Sequence, residues 1–317
     1  MTDVHVITGF LGSGKTTLIA RLLRDPALAD TAVVVNEFGE VGLDHALMET
    51  IDQDVVLLSR GCVCCALNGT LTATLEGLAL RRSAGLIPPF RRVVIETTGL
   101  ADPAPVLQSV LDPPAVLQGY RLAQVITVVD ALTGAATLDR HAEALRQVAV
   151  ADRLLLSKTD LVGYSPDLQV RLAALNPNAS ITPIVHGDAP AALLLQPTAP
   201  TTRRPRRVAD AAHASRFATT WLGLPEKPPF DFLANWLGGL VEAHGPALLR
   251  VKGLVAVAGQ DGPLVVQGVQ HVFHPPRLLP AWPPAIPPGL VFILDSLDPA
   301  SIHASAAEAG LTRRAAA

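Results

Sequence analysis

Cysteine is scarce in this chain of 317 residues, which has only three: Cys62, Cys64 and Cys65. So few cysteines exclude a secreted scaffold that is built on a framework of disulfides. Aromatic residues are also few, at 4%, so the core has to be built from Leu, Val, Ile and Ala. Disorder of the whole chain is excluded as well, because 49% of the residues are hydrophobic and the mean hydropathy is +0.36.

A strong net charge and long hydrophobic runs are absent too. Lys and Arg together number 25 and Asp and Glu 28, a net charge of −3, whereas a general nucleic-acid binder would usually be strongly basic. No uninterrupted apolar run reaches the ~18–20 residues that span a bilayer. The N-terminus shows no basic segment followed by an apolar one, as a secretory leader would. We therefore expect a cytoplasmic protein with reduced thiols that binds neither nucleic acid nor membrane.

Short apolar runs alternate with helical patterns up to about residue 185, which predicts an α/β fold. Several of the runs are apolar on both faces, as in a mostly parallel sheet that is flanked by helices. The predicted strands are residues 4–8, 32–36, 55–58, 93–96, 125–130 and 153–157. The clearest predicted helices are residues 15–24, 67–82 and 139–149.

The length suggests two domains, and a change of composition after residue 186 indicates where the first one ends. Residues 187–212 are rich in proline and include four arginines around one proline at 203–207, so we interpret them as a linker. The alternative is a docking patch for an acidic partner. Residues 213–317 predict a smaller α+β domain, with helices at 230–243 and 299–309 and strands at 248–258, 264–267 and 290–294. The first domain, residues 1–186, carries the motifs described next.

Residues 9–16, GFLGSGKT, match the phosphate-binding loop G-x-x-x-x-G-K-[ST], with a predicted strand before them and a predicted helix after them. The glycines allow backbone amides to curl around phosphates, and the helix N-terminus adds partial positive charge. We expect Lys15 to reach the β- and γ-phosphates and the Thr16 hydroxyl to ligate Mg²⁺, so both are catalytic candidates. A chance glycine-rich turn is the alternative. The predicted nucleotide-binding residues here are Gly9, Gly12, Ser13, Gly14, Lys15, Thr16 and Thr17.

Glu96 ends an apolar run and leads into Thr97, Thr98 and Gly99. A carboxylate at a strand end beside a phosphate-binding loop usually serves Mg²⁺ through water, so Glu96 is the third catalytic candidate. The glycine would let a loop swing against a γ-phosphate, which makes Gly99 a nucleotide-binding candidate. A buried structural role for Glu96 is the alternative.

Residues 157–160, SKTD, follow another apolar run and are similar to the [N/T/S]-K-x-D motif that recognises guanine. The Asp160 carboxylate can accept two hydrogen bonds, from guanine N1–H and the guanine amino group, which adenine cannot supply. The stem of Lys158 can cover the base, and Ser157 stands where Asn is commoner. These three residues favour GTP over ATP.

The three cysteines form a C-x-C-C array, and thiolates so close can converge on one soft metal ion such as Zn²⁺. They would leave one tetrahedral position open, which suits a metal that is handed on rather than held. One alternative is a redox pair, because Cys62 and Cys65 have C-x-x-C spacing. The other is that all three are small buried residues.

The loop after the second predicted strand, residues 36–45, lies where switch I lies in a P-loop GTPase. Its side chains could donate a fourth metal ligand, contact Mg²⁺ or orient the attacking water, or be no more than solvated charges. They are Glu37, the candidate zinc ligand, and Glu40, Asp44 and His45.

Together these segments resemble the CobW-type metallochaperone GTPases of the SIMIBI class. The resemblance rests on GFLGSGKTTL (9–18), NEFGEVGLDH (36–45), GCVCC (61–65), ETTGLADP (96–103), VVDA (128–131) and SKTD (157–160). It extends into the second domain with LRVKG (249–253) and VQGVQHVFHPP (266–276), and so covers nearly the whole chain. The C-x-C-C between the phosphate-binding loop and ETTG is its most specific element.

The resemblance implies a P-loop GTPase that binds Zn²⁺, or a similar ion such as Co²⁺, at Cys62, Cys64 and Cys65. Hydrolysis of GTP to GDP would then control transfer of the ion to a metal-requiring client apo-protein, by a monomer or a homodimer. Alternatives are a nucleotide-gated metal sensor or buffer, a cobalt chaperone of the cobalamin pathway, and an ordinary P-loop phosphotransferase. The chain lacks the histidine-rich tracts of many members, and we expect His271 and His274 on opposite faces of a strand, in a structural role.

Overall fold

The computed structural model describes residues 1–35, 48–52, 55–58, 63–66, 70–111, 119–163, 165–196, 216–284 and 286–312. The chain divides into two compact units. The first comprises Met1–Gln169 and Ser180–Thr198, and the second comprises Val170–Ala179 and Ala199–Ala317. None of the helices in the described ranges is long and apolar enough to cross a membrane.

The first unit alternates strands with helices along the chain. Its strands are β1 (Thr2–Thr8), β2 (Thr31–Val35), β3 (Met48–Asp52), β4 (Val55–Leu58), β5 (Val63–Ala66), β6 (Arg92–Glu96), β7 (Tyr120–Asp130), β8 (Arg153–Ser157) and β9 (Ser180–Pro183). Its helices are α1 (Lys15–Leu22), α2 (Leu71–Ser83), α3 (Ala104–Leu111), α4 (Gly134–Arg140), α5 (Ala142–Val150), α6 (Thr159–Val162) and α8 (Ala192–Leu195). Helix α7 (Pro166–Leu175) is divided between the two units.

Within the described residues these strands form one sheet of nine, in the order β3-β4-β5-β2-β6-β1-β7-β8-β9. Every pairing from β5 to β9 is parallel, while β3 and β4 are attached antiparallel at the β5 edge. The prediction of a mostly parallel sheet flanked by helices is confirmed. The β1 segment joins β6 on one side and β7 on the other, so residues that follow these three strands meet at one edge of the sheet.

The core of this unit lies where the central strands meet helix α1. All five residues of β2 are buried, as expected for a strand that is covered on both faces. Ile7, Ile126 and Leu155 from three strands and Leu18 from α1 have no exposed surface in this core. Leu, Val, Ile and Ala fill it, as the shortage of aromatic residues requires.

Two predicted helices differ from the structure for local reasons. The helix predicted at 67–82 begins at Leu71 (α2), because the Thr70 hydroxyl accepts a hydrogen bond from the Ala73 amide and caps the helix there (3.2 Å). The helix predicted at 139–149 is two helices, because His141 has extended backbone angles (φ −127, ψ 111) between α4 and α5. Strands β3, β5 and β9 were not predicted.

The first ten residues of the predicted linker are a folded part of the first unit. Residues 187–196 include α8, and Ala191, Leu193 and Leu194 are buried in the same core as Ile7 and Leu18. The prediction was wrong here because it weighed proline content more heavily than this short apolar run. Residues 197–212, with the arginine-rich run, and the predicted domain start at 213 lie outside the described residues.

The second unit is an antiparallel sheet that shares one core with two helices. Its elements are β10 (Phe217–Gly223), α9 (Phe230–His244), β11 (Leu248–Val255), β12 (Leu264–Val269), β13 (Val272–Phe273), β14 (Arg277–Leu278), β15 (Gly289–Asp295) and α10 (Pro299–Glu308). Its sheet has the order β10-β15-β11-β12-β13, with β14 also paired to β12, and these pairings are antiparallel. Leu233, Trp236 and Leu240 of α9 and Ile302 of α10 share one core with Phe292 of β15. The predicted smaller α+β domain is confirmed.

The two histidines expected to alternate along a strand are not on a strand. His271 is an exposed turn residue between β12 and β13, and His274 follows β13, where its amide donates to the Gln267 carbonyl (2.9 Å). Strand alternation therefore does not set the directions of their side chains.

His5 is a buried histidine in the middle of the first unit's sheet, with 3% of its surface exposed. Its Nδ1 lies 3.1 Å from Nε2 of Gln124, whose amide nitrogen also donates to the Leu193 carbonyl (2.7 Å). The Gln124 oxygen accepts from Arg153 Nε (3.0 Å), so this network assigns Nδ1 of His5 as an acceptor and the neutral ring as the buried form. Burial lowers the pKa of His5 from 6.5 to about 4.

We predict that the first unit loses stability between pH 6.5 and 4 because of His5. A pKa that is depressed in the folded state means that protons bind more tightly to the unfolded chain, so the contribution is complete above pH 6.5 and falls as the pH drops toward 4. The full difference is about 3 kcal/mol, of which about 2 kcal/mol is lost by pH 5. Urea unfolding followed by circular dichroism at pH 7.5 and 5 measures it.

Replacement of His5 with Leu should flatten this pH dependence, although it also removes the Gln124 hydrogen bond. Trp221, Trp236 and Trp282 all lie in the second unit, so tryptophan fluorescence reports that unit alone and serves as the reference signal. An equally steep pH dependence in His5→Leu would show that His5 is not its source.

Candidate functional site

The phosphate-binding loop connects β1 to α1 and is packed directly against β7. A Cβ atom on Gly9 would lie 2.3 Å from the Val128 carbonyl oxygen, so only glycine fits there. Helix α1 begins at Lys15, and Gly14 in a left-handed conformation (φ 98) precedes it. The loop therefore leads straight into a helix N-terminus, the arrangement that binds phosphate.

Lys15 is folded back into this loop, with 8% of its surface exposed. Its Nζ donates to the carbonyl oxygens of Gly9 (2.8 Å) and Phe10 (3.2 Å). The ammonium group is therefore held by neutral acceptors at the loop, and an anionic phosphate oxygen would be a stronger partner for it.

Thr16 and Glu96 are brought together although 80 residues separate them. The Thr16 hydroxyl donates to Glu96 Oε1 over 2.8 Å. This contact exists because β1 and β6 are neighbours in parallel register, with Ile7 beside Glu96. The structure thus joins the hydroxyl that the sequence predicts as a Mg²⁺ ligand to the carboxylate that it predicts to serve Mg²⁺ through water.

Residues 97–102, which we call the Gly99 loop, follow β6 and lie against the phosphate-binding loop. Thr97 Oγ1 donates to Thr8 Oγ1 (2.7 Å), and the Thr97 amide donates to the Ile7 carbonyl (3.0 Å). A Cβ atom on Gly99 would lie 2.6 Å from the Leu11 amide nitrogen. Gly99 and the phosphate-binding loop are therefore in direct contact in the fold.

Ser157 and Lys158 connect β8 to the same site. Ser157 Oγ donates to the carbonyl oxygen of Ser13 in the phosphate-binding loop (2.6 Å), so serine supplies this link where Asn is commoner. Lys158 has a left-handed backbone (φ 57), and its Nζ donates to Asp130 Oδ2 (2.7 Å). Asp160 follows in the first turn of α6.

Asp130 belongs to the VVDA segment and is a site residue that the sequence did not predict. Its Oδ1 accepts from the Leu132 amide (2.8 Å) while its Oδ2 accepts from Lys158, so it fixes both the turn after β7 and the lysine. Burial alone would raise the pKa of Asp130, but the bonds from Lys158 and Leu132 outweigh it and hold that pKa below its usual value. A carboxylate at the end of a buried strand is the sequence signal that could have identified it.

Sequence reasoning also missed the loop after β9, residues 185–188. His186 has a left-handed backbone (φ 50) and a 71% exposed side chain, and its Nε2 lies 3.8 Å from Asp160 Oδ2. A Cβ atom on Gly187 would lie 3.0 Å from the Thr17 carbonyl and the Leu18 amide. The loop therefore bridges Asp160 and the start of α1, and the Gly187–Asp188 dipeptide was its only turn signal.

The cysteine motif is described in part. Strand β5 places the backbones of Cys64 and Cys65 beside Val33 and Val34 of β2, and Val34 in turn pairs with Ile95 of β6. Two strand spacings of about 4.8 Å thus put the Cys65 Cα roughly 10 Å from that of Ile95, the residue before Glu96.

Cys62, Glu37, Glu40, Asp44 and His45 lie outside the described residues. In the part of the chain that the structure describes, no group of three or more His, Cys, Asp or Glu residues could hold a metal ion.

Residues 3–183 match the family model of the CobW/HypB/UreG nucleotide-binding domain. The chain belongs to this family. Residues 224–309 match a second model, the C-terminal domain of the cobalamin synthesis protein CobW. The P-loop GTPase fold that the sequence predicted is therefore the fold of a CobW-family protein with both of its domains.

Two curated members of the CobW family are similar over most of their length. The zinc chaperone YjiA of Escherichia coli is 33% identical over 276 residues, which is 85% of this chain and 86% of YjiA. The zinc chaperone CobW of Pseudomonas aeruginosa is 30% identical over 312 residues, covering 85% of this chain and 81% of that protein.

The crystal structure of the Zn(II)-bound YjiA GTPase from E. coli superposes with a TM-score of 0.80 at 32% identity, covering 98% of this chain and 99% of YjiA. A Zn(II)-bound YjiA variant in which one glutamate and two cysteines are replaced by alanine gives a TM-score of 0.81 at 31% identity, with the same coverage.

We predict that Asp160→Asn weakens guanine nucleotide binding by at least about tenfold and improves xanthine nucleotide binding. The carboxylate would accept two hydrogen bonds from guanine, whereas the amide of Asn would accept only one and present a donor at the second position, which suits the carbonyl of xanthine. Titration with fluorescent GDP and XDP measures both affinities.

Asp167→Asn makes the same chemical change at an exposed position seven residues further on and should alter neither affinity. Guanine preference that is unchanged in Asp160→Asn would exclude Asp160 from base recognition.

Proposed function

We propose that this chain is a GTP-dependent zinc chaperone, which binds Zn²⁺ at its C-x-C-C motif and releases it to a client apo-protein as GTP is hydrolysed. The observation that carries this proposal is the sheet register. The strand with Cys64 and Cys65 is level with the end of β6, two strands away, where Glu96 bonds to Thr16 of the phosphate-binding loop. The names of YjiA and CobW as zinc chaperones support the choice of metal.

The phosphate-binding loop would hold the β- and γ-phosphates through its amides and the N-terminus of α1. Lys15 would exchange the carbonyls of Gly9 and Phe10 for phosphate oxygens, and this exchange replaces contacts between a cation and neutral acceptors with an ion pair. Lys158 and Asp160 would cover and recognise the guanine, with Ser157 tying them to the loop.

Thr16 Oγ1 and Glu96 Oε1 are hard oxygen donors 2.8 Å apart, so the residues fit Mg²⁺, with Glu96 acting through water. Bound Mg²⁺ would neutralise charge on the β- and γ-phosphate oxygens during hydrolysis. The Thr16 hydroxyl has two lone pairs besides its O–H, so it can bind Mg²⁺ and still donate to Glu96 Oε1, which would connect Glu96 to the metal. Nucleotide binding and the position of Glu96 are therefore coupled.

Zinc is the cargo of the reaction and would be bound by deprotonated Cys62, Cys64 and Cys65, with Glu37 as a fourth ligand. Since β5 and β6 are both paired to β2, a change at the end of β6 is passed to the cysteine strand through one intervening strand. Loss of the γ-phosphate would then alter the thiolate geometry and lower the affinity for zinc.

A zinc-release assay tests coupled transfer against a sensor or buffer that only binds. The protein is loaded with one Zn²⁺ per chain and mixed with a fluorescent zinc-binding dye in the presence of GTP, a non-hydrolysable GTP analogue or GDP. We predict that zinc leaves at least about tenfold faster with GTP than with the analogue, because only hydrolysis removes the contacts of the γ-phosphate.

Equal release with GTP and the analogue would support the sensor or buffer instead. Replacement of Zn²⁺ with Co²⁺ in the same assay distinguishes a cobalt chaperone, which would release cobalt faster than zinc.

We predict that the double variant Cys64→Ser and Cys65→Ser loses tight zinc binding, by more than about a hundredfold, because hydroxyls replace two thiolate ligands. Titration against a competing chelator measures the affinity, and an unchanged GDP affinity shows that the first unit is intact.

Weak residual binding is expected, since the YjiA variant with one glutamate and two cysteines replaced still carries Zn(II) in its crystal. Tight zinc binding that survives in the double variant would contradict the assignment of the metal to C-x-C-C.

A further inference from the structure

Gln147 on helix α5 is a buried side chain, 1% exposed, that contacts the Gly99 loop. Its Nε2 donates to the carbonyl oxygens of Gly99 and Ala101, each over 3.1 Å. Its own main-chain oxygen accepts from Thr127 Oγ1 (2.6 Å), which ties this part of α5 to strand β7. The Gly99 loop is therefore anchored through Gln147 to the central sheet.

The loop has further contacts on both sides of this anchor. Arg146, the preceding residue of α5, has its Nη1 3.4 Å from Asp102 Oδ2, and Asp102 Oδ1 accepts from the Ala104 amide at the start of α3 (2.9 Å). On the opposite side Gly99 touches the Leu11 backbone so closely that a Cβ atom does not fit. Gly99 thus lies between the phosphate-binding loop and helix α5, with Gln147 as its contact on the helix.

The two hydrogen bonds that Nε2 of Gln147 donates to the loop carbonyls fix the orientation of its carboxamide. Within the described residues its Oε1 is buried without a hydrogen-bond partner, and the same holds for Ser13 Oγ. Both residues line a small cleft between the phosphate-binding loop, β7 and the α4–α5 corner. A side chain of the same length that cannot donate would leave two loop carbonyls unpaired, which is costly in a buried site.

We infer that Gln147 is a positioning residue for GTP hydrolysis: it holds the Gly99 loop in the arrangement that hydrolysis requires, without touching the nucleotide. This inference rests on the proposed GTPase function. Glu96 is the last residue of β6 and immediately precedes the loop. Loss of the Gln147 hydrogen bonds would therefore shift the backbone that follows Glu96. The phosphate, Mg²⁺ and guanine contacts of Lys15, Thr16 and Asp160 do not depend on it.

The test uses the full chain with Gln147→Met, which keeps the length of the side chain and removes both donors. We expect kcat for GTP hydrolysis to fall about thirtyfold, the effect of two neutral hydrogen bonds of usual net strength, while the Kd for GDP stays within about twofold. Amide hydrogen exchange in residues 98–102 should become faster, even without nucleotide.

Gln124→Met is the matched control. Gln124 is as buried as Gln147 and also donates to a backbone carbonyl, that of Leu193, but it lies in the His5 network. Its replacement should lower stability and leave kcat and exchange in the Gly99 loop unchanged. Gln147→Glu is the second variant: it keeps the size and shape, presents acceptors to the two carbonyls at neutral pH, and should lose at least as much kcat as Gln147→Met.

The outcomes separate the inference from the proposed function. A wild-type chain that does not hydrolyse GTP would contradict the function itself. Wild-type hydrolysis together with an unchanged kcat in folded Gln147→Met or Gln147→Glu would overturn only the inference. It is equally overturned if GDP affinity falls as much as kcat, or if both variants fail to fold while Gln124→Met folds, because the role is then structural.

Discussion

Strand β1 pairs in parallel with β6 on one side and β7 on the other, and the candidate site depends on this double pairing. The three strands end at the same edge of the sheet, so the segments that follow them are forced together: the phosphate-binding loop, the Gly99 loop and the turn held by Asp130. Backbone contacts then lock the arrangement, since neither Gly9 nor Gly99 has room for a side chain. Thr16 and Glu96 meet as a consequence of strand order.

Both lysines of the site are held by groups of the protein itself. Lys15 is bound by loop carbonyls and Lys158 by the Asp130 carboxylate. These partners differ in strength, because a carbonyl is neutral and a carboxylate is charged. A phosphate would therefore displace a carbonyl from Lys15 more easily than it would displace Asp130 from Lys158.

The sequence predicted the parts of this site in which residue type and spacing are dictated by local geometry. The glycines, lysine and threonine of the phosphate-binding loop, Glu96 at a strand end, and Ser157 to Asp160 all fall where the strand–loop–helix pattern requires them. The parts that it missed depend on tertiary contacts. Strand β9 is short and largely exposed, so its sequence contains no apolar run from which the strand could be predicted. The loop of residues 185–188 that follows it was missed for the same reason. In the sequence Gln147 is only a polar residue on a predicted helix. Its contact with the Gly99 loop, more than 40 residues away in the chain, exists only in the folded structure.

Lys158 and His186 both have left-handed backbones, which cost a non-glycine residue roughly 1–3 kcal/mol each. They flank Asp160 from two different strands, so the walls of the candidate base pocket are set when the sheet forms rather than when a ligand arrives. A ligand that enters such a pocket orders little of the chain and gives up little conformational entropy. The two left-handed residues beside Asp160 therefore belong to the folded sheet itself, and their cost is met by folding rather than by binding.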